Sequence, residues 1–312
     1  VGFAPVNAMR VNFVGELGWE LHHPIEYQNH IFDKLMEAGQ DLGIKPYGIR
    51  AMNSLRVEKS YKLVGTELSS KGASVSWKEL LPETVSKLEG DNAELEAKWM
   101  IEEVSGITEE SDYREKAKPA QLDRLNRLIE RRLAGEPLQY VLGRWQFREL
   151  DLFVDRRVLI PRPETEVMVG YVIEECRSKR AQFGVETVLN VADLGCGSGA
   201  IGLSIAAEVE GVSVWCSDIS EEAVSVTRAN LAGLGMAGQK VSITQGFWFD
   251  ALPEELLGKL DVIVSNPPYI GDDEELPPEV SDWEPPSSLR AGPLGTEDLS
   301  FLLKNSIKWL AS

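Results

Sequence analysis

The sequence predicts an α/β fold: a doubly wound parallel sheet in the second half of the chain, preceded by a small helical domain and, at the start, an extra α+β fragment. Three observations carry this. From residue 167 onward, short apolar runs alternate with helical patterns. A glycine-rich turn joins one such run to the helix that follows it. Between residues 77 and 140, apolar positions recur at helical spacing.

In residues 1–70, "MRVNFVGELGWELHHP" alternates apolar residues at strand period around a "GELG" turn. "IEYQNHIFDKLMEAGQDLG" then places Ile31 and Leu35 on one helical stripe before a glycine stop, and "YGIRAMNSLRVEKSY" predicts a second helix. Residues 71–76 fall in the small, polar stretch "SSKGASVS", which reads as a linker or a join.

Residues 77–140 contain "WKELLPETVSKL", "NAELEAKWMIEEVSG" and "KPAQLDRLNRLIERRLAG", three helices. Asn92 is placed to cap the second, Pro119 suits the first turn of the third, and Gly106 and Gly135 end two of them. Residues 141–166, with a strand-like run around Trp145 and Phe147 and the proline-punctuated "LIPRPETE", predict a connecting hairpin and loop.

In residues 167–312, "EVMVGYVIEECRSK" is helical. "VLNVADLG", "VSVWCSD", "VSITQG" and "LDVIVSN" have the continuous apolar character of strands buried on both faces. "GAIGLSIAAEV", "SEEAVSVTRANLAGLG" and "LPEELLGK" are the expected helical crossovers. Ligands of such sheets sit beyond the carboxyl ends of the strands.

Composition narrows the function. The 312 residues, 43% of them hydrophobic, are enough for more than one domain, and the net charge of −18 argues against a protein that grips duplex DNA by its phosphates, so no direct nucleic-acid partner is expected. Cys176, Cys196 and Cys216 form no CxxC pair, and His22, His23 and His30 all lie near the start, so neither a disulfide framework nor a metal site is expected. No apolar stretch reaches membrane-spanning length and no leader-like segment opens the chain, which leads to the expectation of a soluble, cytoplasmic protein without a membrane partner.

The chemistry-bearing residues cluster at strand ends. In "VADLGCGSGAIG", Gly195, Gly197 and Gly199 follow a strand and open a helix, so the backbone can approach a ligand closely, with Cys196 and Ser198 between them. Gly197, Gly199 and Gly202 also satisfy a dinucleotide-type GxGxxG. Asp193 at the strand end disfavours a pyrophosphate and suits a cationic ligand such as S-adenosylmethionine. Asp218 closes the second strand at the separation that reaches ribose hydroxyls in either cofactor class, or else serves the helix start near Ser220. Trp248, just past the third strand, is either an aromatic that lies against adenine or a core residue.

After the fourth strand comes "SNPPYI". The proline after it drives Asn266 to an extended conformation, and Pro268 restricts Pro267 in turn. Neither proline donates a backbone hydrogen bond, so nearby carbonyls stay available as acceptors beside the Asn266 side-chain oxygen. Two fixed acceptors can hold a planar NH2 group with its nitrogen aimed at an electrophilic methyl, and Tyr269 can pack on the flat group. The alternative is an ordinary proline turn.

These motifs, with "RRLAGEPLQYVLGRWQF" and "LIPRPETE", mark residues 75–312 as closely resembling the HemK/PrmC family of release factor glutamine N5-methyltransferases. The resemblance implies a class I (Rossmann-like) S-adenosylmethionine-dependent methyltransferase domain, with a methyl-donor loop from Gly195 to Gly199, a ribose contact from Asp218 and an adenine-side contact from Trp248; Asp193 joins these as a cofactor-side candidate on its charge. The resemblance also implies Asn266, Pro267, Pro268 and Tyr269 around the GGQ glutamine of a peptide chain release factor, which the helical domain helps to dock. The family commonly has an acidic residue before the tryptophan, where this chain has Phe247. The family fold also continues past "LSFLLKNSIKWLAS", read as a helix, with a further parallel strand and an antiparallel pair, so a sheet with an open edge is expected here. DNA adenine methyltransferases share an Asn-Pro-Pro-aromatic clamp, but the acidic balance and the "RRLAGEPLQYVLG" region argue against them.

Residues 1–70 resemble the folate-binding aminomethyltransferase region of the glycine-cleavage T-protein and of dimethylglycine and sarcosine dehydrogenases, through "VNFVGELGWELHHP" and "LGIKPYGIRAMNSLRVEKSYKLVGTEL". Glu16 matches a pterin-contacting carboxylate, whereas Met52 and Asn53 stand where many T-proteins have Arg-Asp, and there is no initiator methionine. The expectation is a domain remnant joined near residue 72 rather than a complete folate site. A folate-dependent module and an inactive truncated chimera remain the alternatives to a glutamine methyltransferase.

Overall fold

The computed structural model describes residues 7–11, 18–22, 28–38, 40, 75–88, 90–184 and 186–311. The chain divides into two compact units, residues 1–80 with 109–124, and residues 81–108 with 125–312.

In the first unit, β1 (Asn7–Val11) and β2 (Gly18–His22) pair antiparallel, with Met9 opposite Glu20, as the alternation around "GELG" predicts. Helix α1 (Gln28–Ala38) follows. Only half of its expected stripe is covered, since Ile31 is 3% exposed and Leu35 39%. The predicted second helix, Glu16, Met52 and Asn53 lie outside the described residues. Later in this unit Ser76 bridges Lys116, and the Trp77 N–H donates to the Glu115 carbonyl at 3.1 Å.

Helices α2 (Trp77–Lys87), α3 (Ala93–Ser105) and α4 (Pro119–Leu133) occupy the region of helical periodicity. Helix α3 buries Ala93, Ala97, Met100, Ile101 and Val104, a stripe of the period that predicted it, and ends at Gly106 with φ +76°. Asn92 does not cap it: its ψ of 6° departs from the extended conformation of a cap, and its side chain makes no capping hydrogen bond. Pro119 does open α4.

The second unit continues through α5 (Leu138–Leu142) and the hairpin of β3 (Arg144–Phe147) and β4 (Leu150–Phe153). Between the two strands Arg148 takes φ +52° while its guanidinium grips Glu208 twice at 2.7 Å. Helix α6 (Pro163–Phe183) leads into β5 (Leu189–Leu194), α7 (Ala200–Glu208), β6 (Val212–Asp218), α8 (Glu221–Ala232), β7 (Val241–Gln245) and β8 (Val262–Val264). A short α9 (Pro278–Ser281) and α10 (Glu297–Ser306) follow.

The sheet is parallel in the order β7-β6-β5-β8. Central β5 buries Leu189, Val191, Ala192 and Leu194 completely, which explains its uninterrupted apolar run. Two readings are corrected. "LPEELLGK" forms no α-helix but a 3-10 turn at Glu254–Leu256, because Pro253 before it and Gly258 after it, at φ +67°, leave too little chain for a helix to propagate. Within "LSFLLKNSIKWLAS" the helix stops at Ser306, and Leu310 forms a parallel bridge with Leu260, so the chain after α10 already lines part of the edge that begins at β8.

Candidate functional site

The strand order decides where a site forms. From β5 the chain crosses to β6 on one side, and β8 lies on the other, so the loops after β5 and β8 diverge and open a crevice at their carboxyl ends. The register pairs Asp193 with Val264, which brings Gly195, two residues beyond β5's Asp193, alongside Asn266, two residues beyond Val264. A cavity of about 310 Å³ lies there, lined by Gly195, Cys196, Gly197, Ser198, Asp218, Trp248, Asn266 and Pro268 among others.

The glycine loop has two kinds of glycine. Gly197, at φ +56°, has nothing within 4 Å of where a Cβ would stand, so its missing side chain is open space at the cavity wall. Gly199, at φ +83°, points inward: a Cβ there would meet Leu203 Cδ1 and Thr227 Cγ2 at 2.8 Å. Gly199 therefore serves packing and does not line the cavity. Gly195 sits over the Trp248 ring, its hypothetical Cβ 3.0 Å from Cζ3.

Asp218 lines the cavity and pins the loop. Its Oδ2 accepts the Gly197 N–H and its Oδ1 the Ser220 N–H, both at 2.9 Å, while Ser220 itself caps α8 through the Ala223 N–H. Of the alternatives weighed for Asp218, the structure shows its service to the start of the helix near Ser220, together with its hold on the glycine loop. Burial pushes its carboxyl pKa up, against the pull of the backbone N–H groups of Ser220, Gly197 and Ile219.

Asp193 does not stand where its strand-end position suggests. It is completely buried beneath the loop, is not part of the cavity wall, and its Oδ2 accepts the Gly202 N–H at 2.8 Å. Its side chain turns to the first turn of α7 rather than outward. Burial, opposed by that bond and reinforced by the charge of Asp218, raises its carboxyl to about 7. Its Oδ1 has no hydrogen-bond partner among the described residues.

Trp248 lines the cavity in the unusual φ of +46°, and its indole N–H donates to Asp298 Oδ1 at 3.3 Å. On the β8 side, Asn266 and Pro268 reach the cavity wall. Pro267 and Tyr269 do not, and Tyr269 is 65% exposed.

Further lining residues come from two segments: Arg157, Arg162 and Thr165 from in and just before "LIPRPETE", and Ser288, Arg290 and Asp298, which carry no local sequence signal, from beyond β8. Arg157 is held by Asp155, Arg162 by the buried Glu284, and Arg290 by the carbonyls of Gly271, Asp272 and Glu274. Two carboxylates, Asp218 and Asp298, thus face the hollow with the carbonyl-held Arg290, a balance that suits a zwitterionic or cationic ligand better than a polyanion. Among the described residues no group of three or more His, Cys, Asp or Glu side chains could hold a metal ion, and no helix is long and apolar enough to cross a membrane.

A parallel α/β domain with a glycine-lined crevice at its switch point is the class that fold and site define, and comparison sharpens it. Residues 181–277 match the methyltransferase small domain, residues 79–143 the PrmC N-terminal domain, and residues 1–76 the GCVT N-terminal domain. The chain is similar to proteins named release factor glutamine methyltransferases. It is 38% identical over 194 residues to the one from Gloeobacter violaceus, covering 61% of this chain and 64% of that protein. It is 36% identical over 189 residues to the human MTRF1L release factor glutamine methyltransferase, covering 59% and 55%. It is 32% identical over 233 residues to a bifunctional methyltransferase of Rickettsia typhi, covering 70% and 44%. The chain spans about half to two thirds of the length of these relatives. Among solved structures, the human METTL16 catalytic domain in complex with an RNA hairpin superposes with a TM-score of 0.42 at 16% identity, covering 60% of this chain and 64% of that one, a likeness that decides nothing about substrate.

Proposed function

We propose that the crevice binds S-adenosylmethionine and that the protein methylates the side-chain nitrogen of a glutamine, the one in the GGQ motif of a peptide chain release factor. The observation that carries this reading is that the glycine loop and Asn266 line one cavity, from adjacent strands. The residues fit the cofactor. The open Cβ position of Gly197 leaves room for close backbone approach, Asp218 retains acceptor capacity for ribose hydroxyls, and Trp248 offers an aromatic surface. The names of the similar proteins support the substrate class.

When bound, S-adenosylmethionine supplies a methyl group already activated by its sulfonium. The chain's own residues do the rest. An amide nitrogen is a weak nucleophile because its lone pair is delocalised into the carbonyl. The Asn266 carboxamide oxygen, with a carbonyl of the adjoining Pro267–Pro268 segment, holds the NH2 hydrogens, turns the nitrogen toward the methyl, and stabilises the positive charge that builds on it. The proton that nitrogen loses passes through those acceptors to water. Tyr269, exposed on the rim, meets the substrate's flat amide or its flanking glycines.

In this reading residues 77–140 dock the protein substrate, 141–166 connect, and 167–312 carry the chemistry. The three cysteines are free and buried, as suits a reducing cytoplasm. The test is mass spectrometry of a release factor incubated with S-adenosylmethionine and this chain: one methyl gained on the GGQ glutamine supports the proposal, and label appearing only on DNA adenine refutes it. A second reading, folate-dependent aminomethyl transfer, rests on the match of residues 1–76 to the GCVT N-terminal domain. Saturable tetrahydrofolate binding would support it.

A further inference from the structure

Resting on the cofactor reading above, we propose that Asp298 is the residue that recognises the base of the bound nucleoside, accepting a hydrogen bond from the exocyclic amino group of adenine. The need for such an acceptor arises at position 247. Phe247 is hydrocarbon only, its ring 5.3 Å from Phe301 and 6.1 Å from Trp248 between centroids. Its carbonyl is already taken by the Asp250 N–H at 2.9 Å. That stretch of the cavity wall therefore presents aromatic faces and little to receive an amino group.

Helix α10 supplies what the β7 loop lacks. Asp298 and Phe301 are three residues apart and so share one helical face. While Phe301 packs on Phe247, Asp298 reaches the cavity wall beside Trp248, half-buried. Only Oδ1 is engaged, by the Trp248 indole N–H at 3.3 Å. Oδ2 takes no hydrogen bond from any described residue. A carboxylate is acceptor-only, so the same group that welcomes the 6-amino group of adenine repels the 6-oxo group of hypoxanthine. The indole bond fixes the carboxylate's direction before any ligand arrives.

The experiment is calorimetric binding of S-adenosylhomocysteine and of its 6-oxo counterpart, S-inosylhomocysteine, to the full chain and to the Asp298→Asn and Asp298→Ala variants. Wild type should prefer the adenine ligand on the order of tenfold or more, the value of a hydrogen bond to a charged group. Asp298→Asn keeps an acceptor for the indole but adds a donor, so its preference should shift toward S-inosylhomocysteine by a similar factor. Asp298→Ala should lose most of the discrimination. If both variants keep the wild-type ratio of affinities, the base is read elsewhere and the inference fails while the cofactor reading stands. If wild type binds neither ligand, the cofactor reading fails with it.

Discussion

The Ser265 hydroxyl donates to the Leu194 carbonyl at 2.6 Å, tying the residue before Asn266 to the residue before Gly195. This side-chain bond crosses from the end of β8 to the end of β5, where the parallel ladder has already stopped. The two loops that form the cavity are thus fixed to each other independently of the sheet.

Asn266, held in this way, should matter for turnover more than for cofactor affinity. Asn266→Ala is expected to lower kcat for methyl transfer by roughly a hundredfold or more, the loss typical of removing one preorganised charge-stabilising group. Binding of S-adenosylhomocysteine, measured by calorimetry, should change by no more than a few-fold. A loss of affinity as large as the loss of kcat would mean that Asn266 serves the cofactor instead.

Gly197 and Gly199 should separate binding from stability. Alanine at either position incurs the left-handed backbone cost of ~1 kcal/mol or more. At Gly199 the new Cβ also meets Leu203 and Thr227 at 2.8 Å, so Gly199→Ala should lower the midpoint of urea unfolding further. Gly197→Ala places its methyl in open space at the cavity wall and should weaken cofactor binding more than it lowers stability.

Asp193 predicts a pH effect. Its folded carboxyl sits at about 7, raised chiefly by burial, whereas in the unfolded chain it titrates near 4. Between those values the folded chain keeps a proton that the unfolded chain has released. Stability from this group is therefore complete below about pH 4 and is lost as the pH rises through about 7. Asp193→Asn removes the titration, so its melting temperature relative to wild type should climb from pH 4 to pH 7 and then level off. A constant offset across that range would contradict the assignment.

Glu284 anchors one wall of the cavity. Its carboxylate is 3% exposed, pairs with Arg162 and accepts the Ile160 N–H at 3.0 Å, while Arg156 lies 4.0 Å over the neighbouring Trp283 ring. Glu284→Ala strands a partly buried guanidinium and a buried N–H and should cost ~3 kcal/mol by urea denaturation. Glu284→Gln, which keeps an acceptor for Ile160, should lose less. Losses below ~1 kcal/mol in both would reduce the contact to a surface pair.

Much of this geometry is written locally. Apolar runs of strand length, the glycines after β5 and the prolines after β8 each report their own backbone, and the parallel order then brings them together. Asp193 and Gly199 were harder to read, because a strand-end or loop residue can turn into the protein or out of it, and the choice depends on contacts such as Gly202 and Thr227 that periodicity does not encode. Asp298 and Glu284 lie far along the chain from the loops they support, so only the folded arrangement reveals them. The "LPEELLGK" stretch reads as a helix only when the breaking effect of Pro253 and Gly258 on either side is given too little weight against the helical propensity between them.

Cofactor and carboxamide are expected to meet in the crevice between β5 and β8. Hydrogen exchange followed by mass spectrometry tests it on the full chain, first with S-adenosylhomocysteine and then with a GGQ-containing release factor added. The first ligand should slow exchange at residues 195–199 and 217–220, and slowing at 269–271, just past the prolines, should appear only with the second. Slowing by the release factor confined to other parts of the chain, with 269–271 unchanged, would contradict this expectation.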